Sequence, residues 1–183
     1  MDTPSPRALV AYESLFGATR QVAEAIADGL RDAVEVDCRD VRRLSPFELR
    51  QFDLVVVGTP THARSLPTPA SRAEGATWLD GRMRGAHLDD LALTPGVREW
   101  LEHTSLTGLK VAAFTTRADL PRVLSGSALP GIARRLRHAG AIVDGRGYEA
   151  MVDEHGRLRE GEADRAREWG RILGRSLRRE ARV

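Results

Sequence analysis

The chain has one cysteine, Cys38, one lysine, Lys110, and only 5% aromatic residues among its 183. A single cysteine excludes an internal disulfide and the disulfide-stapled class of small secreted domains, and it makes the cytoplasm the expected location. No apolar run approaches the ~20 residues that cross a bilayer, so no membrane segment is expected. The opening MDTPSPRALVAY lacks a basic stretch followed by an apolar one, so no secretory signal is expected either. The five histidines, His62, His87, His103, His138 and His155, show no HxxxH or HxH spacing and no pairing with cysteine, which argues against a zinc site. An excess of one charge sign is also missing. With 28 basic and 26 acidic residues the net charge is +2, too weak a field to predict nucleic-acid binding. Arg134, Arg135, Arg137 and His138 make one basic helix face, read as solvated, without the aromatic interleaving of single-strand binders.

What is present is an ordinary globular composition, 42% hydrophobic and 30% charged, at a length that suits one domain. Apolar β-branched runs at 7–12, 53–60 and 109–116 read as buried strands, and the alternating VEVDCRDV at 34–41 as another. Val22, Ala23, Ile26, Ala27 and Leu30 repeat at helical spacing. Ser-Pro at 45–46 starts a short helix to 52, and further helices are expected at 95–104, at 127–140 and from 161 onward. A last strand over 141–152 is broken by Gly145 and Gly147. Between 59 and 94 periodicity dissolves into a stretch rich in Pro, Gly and Ala, as functional loops often do. Cys38 reads as core, Trp78, Trp100 and Trp169 as packing anchors, and Asp89-Asp90 as an exposed turn.

Strand–helix alternation with buried-type strands predicts a three-layer α/β domain around a parallel sheet. Ligands of such sheets bind beyond the carboxyl ends of the strands, so the loops after Tyr12, Val57 and Thr115 carry the argument. The first, Ser14-Leu15-Phe16-Gly17-Ala18-Thr19, runs straight into a helix whose N-terminal amides attract anions. GxxxxGK[ST] and GxGxxG are both absent, which excludes the usual nucleoside-triphosphate and dinucleotide turns. A neutral nest of hydroxyls and amides remains. It suits a phosphate monoester, although Ser, Thr and Gly at a helix start also serve as plain caps and turns.

Tyr12-Glu13-Ser14-Leu15-Phe16-Gly17-Ala18-Thr19 followed by Val22-Ala23-Glu24-Ala25-Ile26 resembles the flavodoxin-like family, in its actinobacterial YES-x-[FY]-G-x-T form. Val55 to His62 resembles the family's second loop, and Phe114-Thr115-Thr116-Arg117 stands where the third begins. The resemblance runs from about Ala8 to Leu177. It implies a doubly wound, five-stranded parallel sheet in the order 2-1-3-4-5. It implies flavin mononucleotide (FMN) as cofactor, its phosphate against Ser14, Leu15, Phe16, Gly17, Ala18 and Thr19 and its ring near Pro60, Thr61, His62, Thr115, Thr116 and Arg117. The implied activity is electron transfer or quinone-type reduction, with a redox protein or a small electron acceptor as partner and a homodimer as one assembly. Two departures stand out: Phe16 occupies a position the family commonly gives to threonine, and no aromatic residue lies between Thr59 and Thr77 or between Thr115 and Ser127. Trp78 is then the nearest aromatic able to cover the ring, with His62, Leu66 and Arg117 as other ring contacts. The alternative is a module of the same fold that has lost flavin and serves interaction or regulation.

Overall fold

The computed structural model describes residues 5–81, 83, 85–145 and 147–181. Six strands, β1 (Arg7–Tyr12), β2 (Glu35–Asp40), β3 (Leu54–Pro60), β4 (Lys110–Ala118), β5 (Ile142–Val143) and β6 (Tyr148–Val152), form one sheet, and all paired neighbours are parallel. The order is β2-β1-β3-β4-β5, with β6 also on β4. The expected order therefore stands, and the fifth position is filled by two pieces. Lys110 pairs with Ile142 and Phe114 with Tyr148, so four steps along β4 face six on its neighbour. Between them Gly145 and Gly147 adopt φ of 65° and 79°, left-handed values that side chains resist.

Among the described residues there are six helices, α1 (Ala18–Arg31), α2 (Pro69–Thr77), α3 (Val97–Glu102), α4 (Arg122–Ser125), α5 (Leu129–His138) and α6 (Glu162–Glu180). Period-two alternation divides the core between the sheet's faces. Ala8, Val10, Val56, Ala112 and Phe114 pack against α1 and α6, while Leu9, Ala11, Val55, Val57 and Val111 pack against α3 and α5. On the first face the two helices touch backbone to backbone. A Cβ on Gly170 would lie 2.2 Å from the Ile26 carbonyl oxygen, and one on Gly29 would lie 2.0 Å from that of Arg167. The short helix expected at 45–52 is a 3-10 segment, Pro46–Gln51, preceded by a second at Val41–Arg43.

The stretch 59–94 is not structureless. Thr68 accepts from the Ser71 amide, Pro69 takes the first helical position, and α2 runs to Thr77 before a 3-10 turn at Trp78–Asp80. The cap and the proline were visible signals, hidden because Ser, Arg and Glu interrupt the apolar period. Among the described residues no helix is long and apolar enough to cross a membrane.

Candidate functional site

β1 ends at the sheet's switch point, between β2 and β3, and the chain turns from it into α1 through residues 13–17. Gly17 makes the turn at φ 89°, and its amide donates to the Ser14 Oγ at 3.1 Å. The Ser14 hydroxyl therefore keeps its own proton to donate. The Thr19 hydroxyl lies 2.8 Å from that of Thr116, which ties the first loop to the third. The amides of Leu15, Phe16, Ala18, Thr19 and Arg20 find no acceptor among the described residues. Leu15, Ala18 and Thr19 are 1%, 6% and 2% exposed, so those donors are buried as well as unpartnered. Folded proteins almost never bury an N–H without a partner, so this loop has the donor set of an anion cradle.

Behind the cradle stands a buried ion triad that sequence reasoning missed. Glu13 and Arg72 are 0% and 1% exposed, with Arg72 Nε 2.7 Å from Glu13 Oε1. The other arm of Arg72 holds Glu99 at 2.7 and 3.3 Å. The remaining capacity of Glu13 is met by the Val97 amide at 2.9 Å and the Thr59 hydroxyl at 3.3 Å. Burial alone would raise the pKa of Glu99, but the guanidinium and the Gly96 amide outweigh it and hold the carboxyl below its usual range. For Arg72, burial pulls down, and Glu99 and Glu13 more than restore the charge. The triad locks the first residue of the loop after β1 to α2 and α3. An acid next to an apolar strand was its one sequence signal, and nothing in sequence distance linked residues 13, 72 and 99.

The second and third loops are laced by hydroxyls. Thr115 Oγ1 donates to the Thr59 carbonyl at 2.7 Å and lies 3.0 Å from Thr61 Oγ1, which accepts from the Ala128 amide at 3.0 Å. Pro60 ends β3 in register with Thr116, and the Thr61 amide donates to the Thr116 carbonyl at 2.7 Å. After Thr61 the chain doubles back, with His62 and Ser65 exchanging two backbone bonds of 2.9 Å. Ala63 and Arg64 between them sit at φ 45° and 67°, a conformation that costs a non-glycine residue about 1–3 kcal/mol. The Arg117 guanidinium is spent on Glu149 at 3.1 Å and on the Leu120 carbonyl at 2.9 Å.

His62 is buried, its Nδ1 3.3 Å from the Ser71 carbonyl, and burial lowers its pKa. Its ring stacks on Trp78 with centroids 5.6 Å apart, and Phe16 stacks on Trp78 at 6.5 Å. Phe16, Trp78 and His62 thus form an aromatic row from the first loop to the second. The indole comes from the end of α2 rather than from either flanking loop. A cleft of about 250 Å³ opens beside it, lined by His62, Arg64, Glu74, Trp78 and Leu124 among others, and so lies between the second and third loops. A second cavity of about 250 Å³, lined by Tyr12, Arg20, Arg39, Asp40 and Asp89 among others, lies at the ends of β1 and β2. Asp89, expected as an exposed turn, is mostly buried and faces Arg20 at 3.3 Å. The segment after α2 folds back onto the first loop rather than into solvent.

Residues 9–71, which hold most of β1, the first loop, α1 and the second loop, match the flavodoxin domain family. The fold is flavodoxin-like. Solved structures agree on the fold. An archaeal flavodoxin superposes with a TM-score of 0.63 at 20% identity, over 93% of this chain and 98% of that one. Oxidised flavodoxin 1 from Bacillus cereus superposes at 0.58 and 20% identity, over 90% and 94%. A curated protein of Methylocella silvestris named NAD(P)H dehydrogenase (quinone) is 28% identical over a stretch covering 43% of this chain and 52% of the relative. This flavodoxin-like chain therefore spans about half the length of that relative.

Proposed function

We propose that this protein binds FMN across its three loops and acts in electron transfer or in reduction of a quinone-type acceptor. The observation that carries the reading is the set of buried, unpartnered amides at residues 15, 18 and 19, because a phosphate monoester is the ligand that satisfies such a set in this fold. The flavodoxin domain match and the quinone dehydrogenase relative support the flavin and the acceptor class. When bound, the flavin supplies the redox chemistry, accepting and passing on electrons.

The chain's own residues bind and orient. The amides of residues 15, 16 and 18 to 20 and the Ser14 hydroxyl hold phosphate oxygens, and the Thr19–Thr116 bond keeps the first loop in register with the third. Trp78 and His62 give the ring an apolar, stacked wall in the cleft between the second and third loops. His62 stays neutral by burial and adds a polar edge without a fixed charge. Thr61, Thr115 and Pro60 act one step back, by fixing the shape of the loops. We read residues 1–183 as one domain working in the cytoplasm, with a redox protein or a small acceptor as partner and self-association as a homodimer open to it. The absorption spectrum of the purified protein and a fluorescence titration with FMN test the reading. Flavin bands or saturable quenching are expected, and a colourless protein that leaves FMN fluorescence unchanged refutes it.

A further inference from the structure

The first loop is covered, and a charged segment covers it. Ser14 and Thr19 are 0% and 2% exposed, and neither lines the two cavities beside them. Residues 85–94 lie across the loop. The Asp89 amide donates to the Leu15 carbonyl at 2.7 Å, and Arg42 donates both to the Leu91 carbonyl and, at 3.5 Å, to that of Ser14. The Asp89 Oδ1 stands 3.3 Å from the guanidinium of Arg20, which projects from the first turn of α1. Its Oδ2 is shut off from water and has no partner. A carboxylate oxygen orphaned at the rim of orphaned amides is a costly arrangement. It makes sense where Arg20 has two anions to choose between.

We propose that Asp89 is the resident anion of the first loop, that it competes with ligand phosphate for Arg20, and that the Arg20–Asp89 pair thereby sets the preference for phosphorylated over unphosphorylated flavin. The inference rests on the assignment of the phosphate to this loop. A phosphate monoester carries about −1.5 to −2 at pH 7. One guanidinium makes its strong bidentate contact with one anion at a time. Phosphate entry therefore requires Asp89 to withdraw. Among the described residues, the Asp89–Leu15 bond, the Asp89–Arg20 pair and the bond from Arg42 to the Leu91 carbonyl tie segment 85–94 to the loop and to its neighbour Arg42.

The test is a set of titrations of the full chain with FMN, riboflavin and inorganic phosphate, read by flavin fluorescence and, for phosphate, by thermal shift. Asp89→Asn keeps the shape and the backbone bond while removing the charge. It should tighten FMN and phosphate by about tenfold and leave riboflavin unchanged. The gain should vanish in an Arg20→Met background, since both residues act on one contact. Equal FMN and phosphate affinities in wild type and Asp89→Asn, with unchanged circular dichroism, overturn the proposal. So does a gain that persists without Arg20. If phosphate binding responds as stated while neither flavin binds, the resident-anion role stands and the flavin reading fails. If neither phosphate nor FMN binds either protein, both fail.

Discussion

Replacing Arg72 with Met tests the reasoning where the stakes in stability are highest. The side chain is 1% exposed, and its partner Glu13 is fully buried. Methionine fills much of the volume, so the change isolates the charge. Glu13 keeps the Val97 amide and the Thr59 hydroxyl but loses the 2.7 Å guanidinium contact, and Glu99 loses both of its bonds to Arg72. Removing one partner of a buried pair typically costs about 3–5 kcal/mol, because the remaining charge is stranded. At roughly 2–4 °C per kcal/mol for a chain of this size, Tm should fall by about 6–20 °C. Urea unfolding followed by circular dichroism measures the free energy directly. Adding Glu13→Gln to Arg72→Met should recover a good part of the loss, since a neutral amide tolerates burial better than an orphaned carboxylate. The pH dependence carries a second signature. The Glu99 carboxyl titrates below its unfolded value, so its contribution is fully present above about pH 4.3 and is lost as pH falls through the lower folded value. Arg72→Met should flatten that acid limb. A loss below about 1 kcal/mol with an unchanged acid limb would show that the triad is not what holds the first loop's foundation.

Thr19→Ala should leave the fold intact, at a cost of about 0.5–1.5 kcal/mol for its hydrogen bond to Thr116, and weaken FMN by about tenfold in fluorescence titration. Unchanged affinity would move the phosphate elsewhere. Burial, with the charges of Glu24 and Asp28 adding to it, pushes the Cys38 thiol up to about 12. Its alkylation at pH 8 should therefore run about a hundredfold slower than that of a free thiol, a scarcer thiolate being partly offset by its greater nucleophilicity. The rate should climb about tenfold per pH unit toward pH 11, and a fast, flat profile would contradict the burial. Gly170→Ala should cost at least about 1–3 kcal/mol in denaturant unfolding, since its methyl group meets the Ile26 carbonyl and backbone cannot yield as a side chain does. A neutral result would mean that α1 and α6 do not meet as closely as described.

Strand runs such as DLVVVGTP and the helical spacing of Val22 to Leu30 determined the layered fold and the position of the first loop, because period and β-branching are properties of the local chain. Ser14, Gly17 and Thr19 were legible as a turn into a helix start for the same reason. Only the tertiary structure decided the rest. Glu13, Arg72 and Glu99 meet over separations of 59 and 27 residues, and no local pattern encodes an ion pair closed through space. Trp78 reaches His62 and Phe16 because α2 folds where the apolar period is too broken to announce a helix. Asp89 lies over the first loop because the Leu15 carbonyl and Arg20 draw it there. The sequence alone located the loop that turns into the first helix. The folded chain alone put the Asp89 carboxylate beside it, because charges far apart along the chain interact only once packing has brought them together.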